Sequence, residues 1–530
     1  MLRRVVRRRD DEGGYIIALS GLLMTVFLIF AALSVDVGGW YARADQIQRA
    51  ADAAALAGVV WMPDFQKASQ VANDTATKNG FTTGGNITVT PSQISGNSHE
   101  MKVTITDSAA QQFFSKIVLN RQSITRSSIA KYDLGIPMGS PKNVIGSGNL
   151  LSSPNTENLW LAVSGYCSGR ENGDVRLARD DETYSSGNFQ CPGYSRNASY
   201  DANGYYYAVD VPTSAVGSPL NIGVYDAGYH PSGSASDNQL RSGSSISTTY
   251  TIWDIDPTPL DGHPDSLATC STGSNNTTFA SNDSASANAW LSLCKINVPQ
   301  AGRYYVQVKT GNTGADLTSS YGSNGFSLRA WMGNGSWSLC TTVGSGASAS
   351  CPQVHGVSDI SVYANQSGVS TANFYLAQID PVYANKIMQV TLFDPGEGAS
   401  NIKLLDPNGN SVGFTWTAEC STVDDPYSAA TPVTINAPTG GCSGTASASS
   451  GLDVSGTGTV AWGTSGSPKV SSTSKYSDRT VTLQLSVPTT VWASSTGNWW
   501  KIQYQTGSST VTDRTTWGVS ILGAPVHLIS

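Results

Sequence analysis

Charge is scarce in this chain. Asp, Glu, Lys and Arg supply only 13% of its 530 residues, against about 25% in an average soluble protein. Ser, Thr, Gly and Asn take their place. That excludes long charged helices over most of the length and favours short strands with turn-rich connections. The net charge of −7 is thinly spread. Basic residues concentrate only at Arg3, Arg4, Arg7, Arg8 and Arg9, and nucleic-acid binding needs a positive face elsewhere; none is expected. Histidine is rarer still, with five: His99, His230, His263, His355 and His527. None sits in a triad context, and no GxSxG, HExxH, phosphate loop or dinucleotide fingerprint occurs. The chain reads as no enzyme.

Cysteine is missing from the first 160 residues. The eight present are Cys167, Cys191, Cys270, Cys294, Cys340, Cys351, Cys420 and Cys442. None forms a CxxC pair, and histidine is too scarce for a Cys/His zinc site. Pairing neighbours (167–191, 270–294, 340–351, 420–442) closes loops of about 11 to 25 residues, each contributing on the order of 3 kcal/mol. Spacing does not fix this connectivity. The even count and the placement point to an oxidising, extracytoplasmic compartment; the alternative is eight buried thiols.

What is present at the N-terminus is an uncharged run, Tyr15 to Val35, long enough to span a bilayer at about 20 residues. The arginines before it stay cytoplasmic by the positive-inside rule, which puts the bulk of the chain outside a cell membrane crossed once. Small residues at Ala31, Ala32 and Ser34 keep a cleaved signal peptide open as the alternative. The helical pattern continues past them. Trp40, Ala44, Ile47, Ala51, Ala54, Gly58 and Trp61 recur at alternating spacings of four and three, a heptad face with a small-residue centre. Such a seam admits another backbone at close range, and the expected occupant is a partner helix. Pro63 ends the helix.

"SVDVGGWYARADQIQRAADAAALAGV" resembles the N-terminal region of the TadE/TadG-like family of Flp (tight-adherence) pilus-assembly proteins. The residues that carry the resemblance are Asp36, Gly38, Tyr41, Gln48 and the block Ala51, Asp52, Ala53, Ala54, Ala55, Leu56, Ala57. It covers residues 12–62 strongly and continues loosely through "KVTITDSAAQQFFSKIVLNRQSITRSSIAKY". The resemblance implies membrane anchoring and a role in pilus or secretion assembly. The acidic residue that follows the cut site in prepilin-like members is absent here: after Gly13 and Gly14 the first is Asp36.

The remaining pattern divides the chain as follows: 1–14 a basic cytoplasmic tail, 15–35 a transmembrane helix, 36–131 the Ala-rich helix with a small α/β domain, 132–155 a linker, 156–340 a first β-sandwich, 341–356 a linker, and 357–530 a second β-sandwich. Within the small domain, 109–119 is expected as a short helix with Phe113, Phe114 and Ile117 on one face. The fold class is thus mainly β, with two tandem jelly-roll-like sandwiches. The sandwiches form an internal repeat at an offset of about 170 residues: Val209-Asp210 matches Ile379-Asp380, and Val224–Gly228 matches Leu392–Gly396.

Acidic and amide residues cluster at strand ends, as in Asp406, Asn408 and Asn410. They suit both ordinary turns and the oxygen ligands of calcium. Glu171, Asn172 and Asp174 form the densest such group and the first choice for a structural calcium site; no other cofactor is expected. Trp499, Trp500 and Trp492 suggest core packing or a glycan-stacking platform, with one of the adjacent pair pointing outward. Together these features give a membrane-anchored, extracytoplasmic part of a Flp/Tad-type pilus assembly or secretion system. It would act on pilus-assembly proteins through helix packing and β-sandwich contacts. The alternative is a cell-surface adhesin or glycan binder that shares the anchor.

Overall fold

The computed structural model describes residues 13–62, 65–94, 100–117, 121–132, 135–146, 159–165, 204–230, 237, 246–256, 264–311, 323–340, 350–357, 359–396, 398–419, 441–456, 458–460, 469–471, 475–476, 479–492, 497–506, 510–522 and 526–528. The chain forms two compact units, Met1–Tyr132 with Val526–Ser530, and Asp133–Pro525.

The first unit is organised by one uninterrupted helix, α1 (Gly13–Val59). Its apolar half is exposed along its length, and it is long and apolar enough to cross a membrane. Its second half packs on helix α2 (Phe65–Lys78) and on a four-stranded antiparallel sheet. The sheet runs β1 (Ile87–Gln93), β2 (Glu100–Ala110), β3 (Gln122–Tyr132) and the closing strand Val526–Leu528. Alternation along β2 buries Met101, Val103 and Ile105 on one face, as a half-buried strand requires. Ala68, Ala72 and Ala76 form the buried stripe of α2. Gly80, at φ +89°, and the Phe81 N–H on the Ala76 carbonyl terminate that helix, the usual left-handed stop.

Two expectations fail in this unit. Of the helix expected over 109–119, the described residues 109–117 form none: β2 runs on through Ala110, and a single 3-10 turn covers Ser115–Ile117; residues 118–119 lie outside the described residues. The second β domain also does not keep its last residues, because Val526–Leu528 pairs with β3.

The second unit is a β structure built twice. Its first half contains β4 (Leu159–Ser164), β5 (Tyr205–Val211), β6 (Leu220–Tyr225), β7 (Ser247–Trp253), β8 (Trp290–Ile296), β9 (Gly302–Gly311) and β10 (Ser323–Met332). A short strand, β11 (Gln353–Gly356), follows. The second half contains β12 (Asp359–Ser367), β13 (Thr371–Gln378), β14 (Ile387–Phe393), β15 (Asn401–Leu405), β16 (Thr480–Ser486), β17 (Trp499–Gln505) and β18 (Thr510–Ile521). One facing sheet has the order β7-β9-β5-β11; its counterpart has β15-β17-β13. The repeat read from the sequence is therefore a repeat of strand order.

The halves are not separate tandem sandwiches. β4 and β12 pair antiparallel, with Trp160 opposite Tyr363. This joins both halves into one sheet of order β8-β6-β10-β4-β12-β18-β14-β16. Aromatic rings fill the space between the layers. Phe326 on β10 meets Tyr207 and Tyr250 edge-on at 5.7 Å, and Phe374 on β13 meets Trp517 at 6.1 Å. The edge-to-face pairs of Phe326 add to the area they bury. The expected linkers also take part in the fold. Met138 is buried, Val144–Ile145 pairs with β10, and β11 pairs with β5.

Candidate anchoring and binding sites

The heptad face of α1 is buried within its own unit. Ala44, Ile47, Ala51, Ala54 and Gly58 are all buried, and Trp40 is half-buried at the start of the row. A Cβ on Gly58 would lie 2.7 Å from Met101 Sδ and 2.9 Å from the Ala68 carbonyl oxygen. The small residues thus bring α1 against α2 and β2 of the same chain. This corrects the expectation of a partner helix on the seam: the groove is already filled.

Polar residues of the same stretch have internal partners as well. Asp36 is 1% exposed. Its Oδ1 accepts the Phe113 N–H at 2.8 Å, and its Oδ2 accepts the N–H groups of Phe114 at 2.9 Å and Ser115 at 2.5 Å. Burial pushes this carboxyl up, but the Ser115 hydroxyl and the three N–H groups outweigh it and hold the pKa at about 2. The carboxylate replaces the helix bonds that residues 113–115 would otherwise make, so they form a turn. Arg43 reaches β2, with Nε 2.9 Å and Nη2 2.8 Å from Asp107 Oδ2, and lies 4.6 Å from the Phe81 ring centre. Gln48 donates to Asp52 at 2.8 Å. A cleft of about 540 Å³ opens beside Arg43, lined by Gly39, Gln46, Asn86, Asp107 and Phe113 among others.

Two clusters stand out in the β unit. Asp210, on β5, accepts Arg303 Nε at 2.7 Å and Nη2 at 3.0 Å, and its Oδ2 lies 2.8 Å from His355 Nε2. Arg303 comes from β9 and His355 from β11, so one carboxylate ties three strands. Burial pushes Asp210 up, yet the Arg303 and His355 charges hold it well below the usual carboxylate range. The second cluster is aromatic. The Arg329 guanidinium lies 4.0 Å from the ring centre of Trp290, 5.2 Å from Trp337 and 5.3 Å from Trp331. The Trp290 and Trp337 planes differ by 13°. All four residues are half-buried. Arg329 Nε, Trp290 Nε1 and Trp337 Nε1 have no hydrogen-bond partner, and burial alone lowers the arginine pKa to about 10. These three donors are closed off from solvent, so a ring-bearing anionic ligand would meet the half-buried guanidinium and tryptophan faces rather than those atoms.

The sites expected from the sequence fall as follows. Cys270–Cys294 and Cys340–Cys351 are disulfides, as neighbour pairing proposes. Cys442 is disulfide-bonded; Cys420, Cys167 and Cys191 lie outside the described residues. So do Glu171, Asn172 and Asp174. Asp406 is turn chemistry: its Oδ1 accepts the N–H groups of Asn408 and Asn410, both at 2.9 Å. Trp499 and Trp500 are both buried, which removes them as an exposed glycan platform. The Arg329 cluster was missed, because it depends on the register of three strands. Its tryptophans were visible, but not their convergence.

Comparison with known proteins supports one part of the chain. Residues 14–62 match the family model for Flp pilus-assembly TadE/G-like proteins. The N-terminal region is therefore similar to TadE/G-like pilus-assembly proteins, and its apolar helix fits a membrane anchor. No curated protein matches the chain. Among solved structures, a Paenibacillus xanthan lyase is similar at 12% identity, with a TM-score of 0.13, over 83% of this chain and 36% of that one. The chain thus spans about a third of that enzyme's length. A structure of infectious bursal disease virus, Gt strain, gives 12% identity and a TM-score of 0.08 over 75% of this chain and 81% of that one. Neither superposition supports a common fold.

Proposed function

We propose that the protein is a membrane-anchored, extracytoplasmic and non-enzymatic component of a Flp/Tad-type pilus assembly or secretion system. The observation that carries this is the pilus-assembly family match at residues 14–62. The matched stretch is both the membrane-fitting helix and, through Asp36, Arg43 and the seam, the central helix of the first unit. The arginines before Tyr15 favour a cytoplasmic N-terminus. The disulfides favour an oxidising exterior for the β unit. With the seam filled from within, contacts to pilus-assembly proteins fall to the lipid-facing span and to the outer surfaces of the two units. A calcium ion at Glu171, Asn172 and Asp174 would be structural in this scheme.

The test is deletion of the gene, with pili counted by electron microscopy. Loss of pili, restored by the full chain, is expected. Normal piliation of the deletion strain removes the assembly role. Protease added to spheroplasts tests the sidedness separately, since only an exterior β unit is degraded.

A second reading, the surface binder, is favoured by the Arg329 cluster. Its ligand would be an acidic glycan, with a sugar face on tryptophan and a carboxylate on the guanidinium.

A further inference from the structure

Height above the membrane can be read along α1. The helix is continuous from Gly13 to Val59 and rises about 1.5 Å per residue. Its uncharged run ends at Val35, so Asp36, the first charge, marks the level where hydrocarbon gives way to headgroups. Asp36 binds the backbone N–H groups of Phe113, Phe114 and Ser115. The 113–115 turn is therefore held at that same level.

Phe113 and Phe114 are 53% and 52% exposed. Among the described residues the other exposed phenylalanines are Phe27 and Phe30, both within the apolar run. The other described phenylalanines are buried or half-buried, as at Phe65. Among the described residues, exposed phenylalanine thus occurs only in the apolar run and at this turn. Lys116, within the 3-10 turn, and Arg121, after it, are also exposed, and cations there suit anionic headgroups. Tyr41 is 74% exposed, about 7.5 Å further up the helix from Asp36 by the helical rise.

We propose that the Phe113–Phe114 turn is a second membrane contact, an aromatic wedge that enters the lipid interface beside α1. This rests on the reading of α1 as the membrane anchor. Asp36 is its positioning residue: it fixes the turn through backbone atoms and leaves both rings free to face lipid. One helix can swivel in a bilayer, whereas a helix with a lateral wedge has a set tilt and rotation. The first unit would then meet the membrane in one orientation.

The full chain, reconstituted in nanodiscs containing anionic lipid, tests this by photo-crosslinking. p-Benzoylphenylalanine replaces Leu28, Gln66, Phe113 or Phe114, one at a time. Leu28 lies within the span. Gln66 is exposed, two residues before Ala68, which packs against Gly58; Gly58 stands about 33 Å above Asp36, 22 residues at the helical rise. Lipid adducts are expected at positions 28, 113 and 114 and not at 66. Adducts at 28 without any at 113 or 114 overturn the wedge and leave the anchor standing. No adduct at 28 removes the anchor reading itself. Adducts to protein rather than lipid at 113 and 114 in native membranes overturn the wedge in favour of a protein partner. The double variant Phe113→Ser, Phe114→Ser keeps the backbone bonds to Asp36. It is expected to stay in the membrane while amide exchange over residues 111–117 in nanodiscs rises several-fold; unchanged exchange counts against the wedge.

Discussion

Tyr225 ends β6 with Trp290 opposite on one neighbour strand and Ser327 on the other. Phe393, in the same place on β14, has Thr480 and Thr516. Two and four residues further along, Arg329 and Trp331 on β10 correspond to Gly518 and Ser520 on β18. The residue after each strand is an aspartate in the left-handed region, Asp226 at φ 54° and Asp394 at φ 52°, and both are buried. Asp tolerates that conformation better than most residues, so the turn belongs to the shared plan. The aromatic cluster does not. A feature that one half carries and the other folds without is not required by the backbone, and that makes it a candidate for function.

The largest test of this comparison asks whether the halves unfold together. Leu328 and Trp517 occupy equivalent buried places, opposite Val224 and Leu392. Leu328→Ala is expected to cost about 2–5 kcal/mol and Trp517→Ala about 3–5 kcal/mol. If β4 and β12 make one cooperative body, either variant lowers the same calorimetric transition of the β unit. Two transitions, with one moved and one fixed, would separate the halves again.

A smaller effect is expected at Asp210. Strand β11, which carries His355, extends the first half's facing sheet beyond β5, whereas in the second half that sheet ends at β13. Asp210→Asn leaves Arg303, 8% exposed, without its anion. Because Asp210 itself is a third exposed, solvent screens the loss to about 1–2 kcal/mol. The folded pKa lies below the unfolded value of about 3.9. The stabilisation is therefore complete above that value and is lost as pH falls toward the folded one. Urea midpoints measured across acid pH should drop more steeply below about pH 4 in the wild type than in the variant; parallel curves would contradict this.

The smallest stability change belongs to Arg329→Gln, about 1 kcal/mol from the lost cation–π contacts. Retention on an immobilised acidic polysaccharide is expected to fall about tenfold, or 1.4 kcal/mol. Equal retention by wild type and variant would reduce the cluster to packing.

Alternation and turn residues made the strands legible in the sequence, and the heptad made the buried face of α1 legible. Neither says what lies opposite. A period of 3.5 marks Ala51 and Ala54 as contact positions whether the neighbour is a partner helix or, as found, α2 and β2. The 113–115 turn was hidden because the group that decides it, Asp36, is far away in sequence. The β4–β12 junction was hidden likewise, since side-chain alternation assigns faces and not neighbours. At the Arg329 cluster each residue was visible and the strand register that gathers them was not.

The closing strand has one more consequence. Val526 lies opposite Tyr132, so the β unit is an insertion whose two tethers leave adjacent strands at the same end of one sheet. During synthesis that sheet stays incomplete until the whole insertion has been made. A pull on the β unit enters the first unit through both tethers at once. The load is divided between β3 and its short neighbour before it reaches α1.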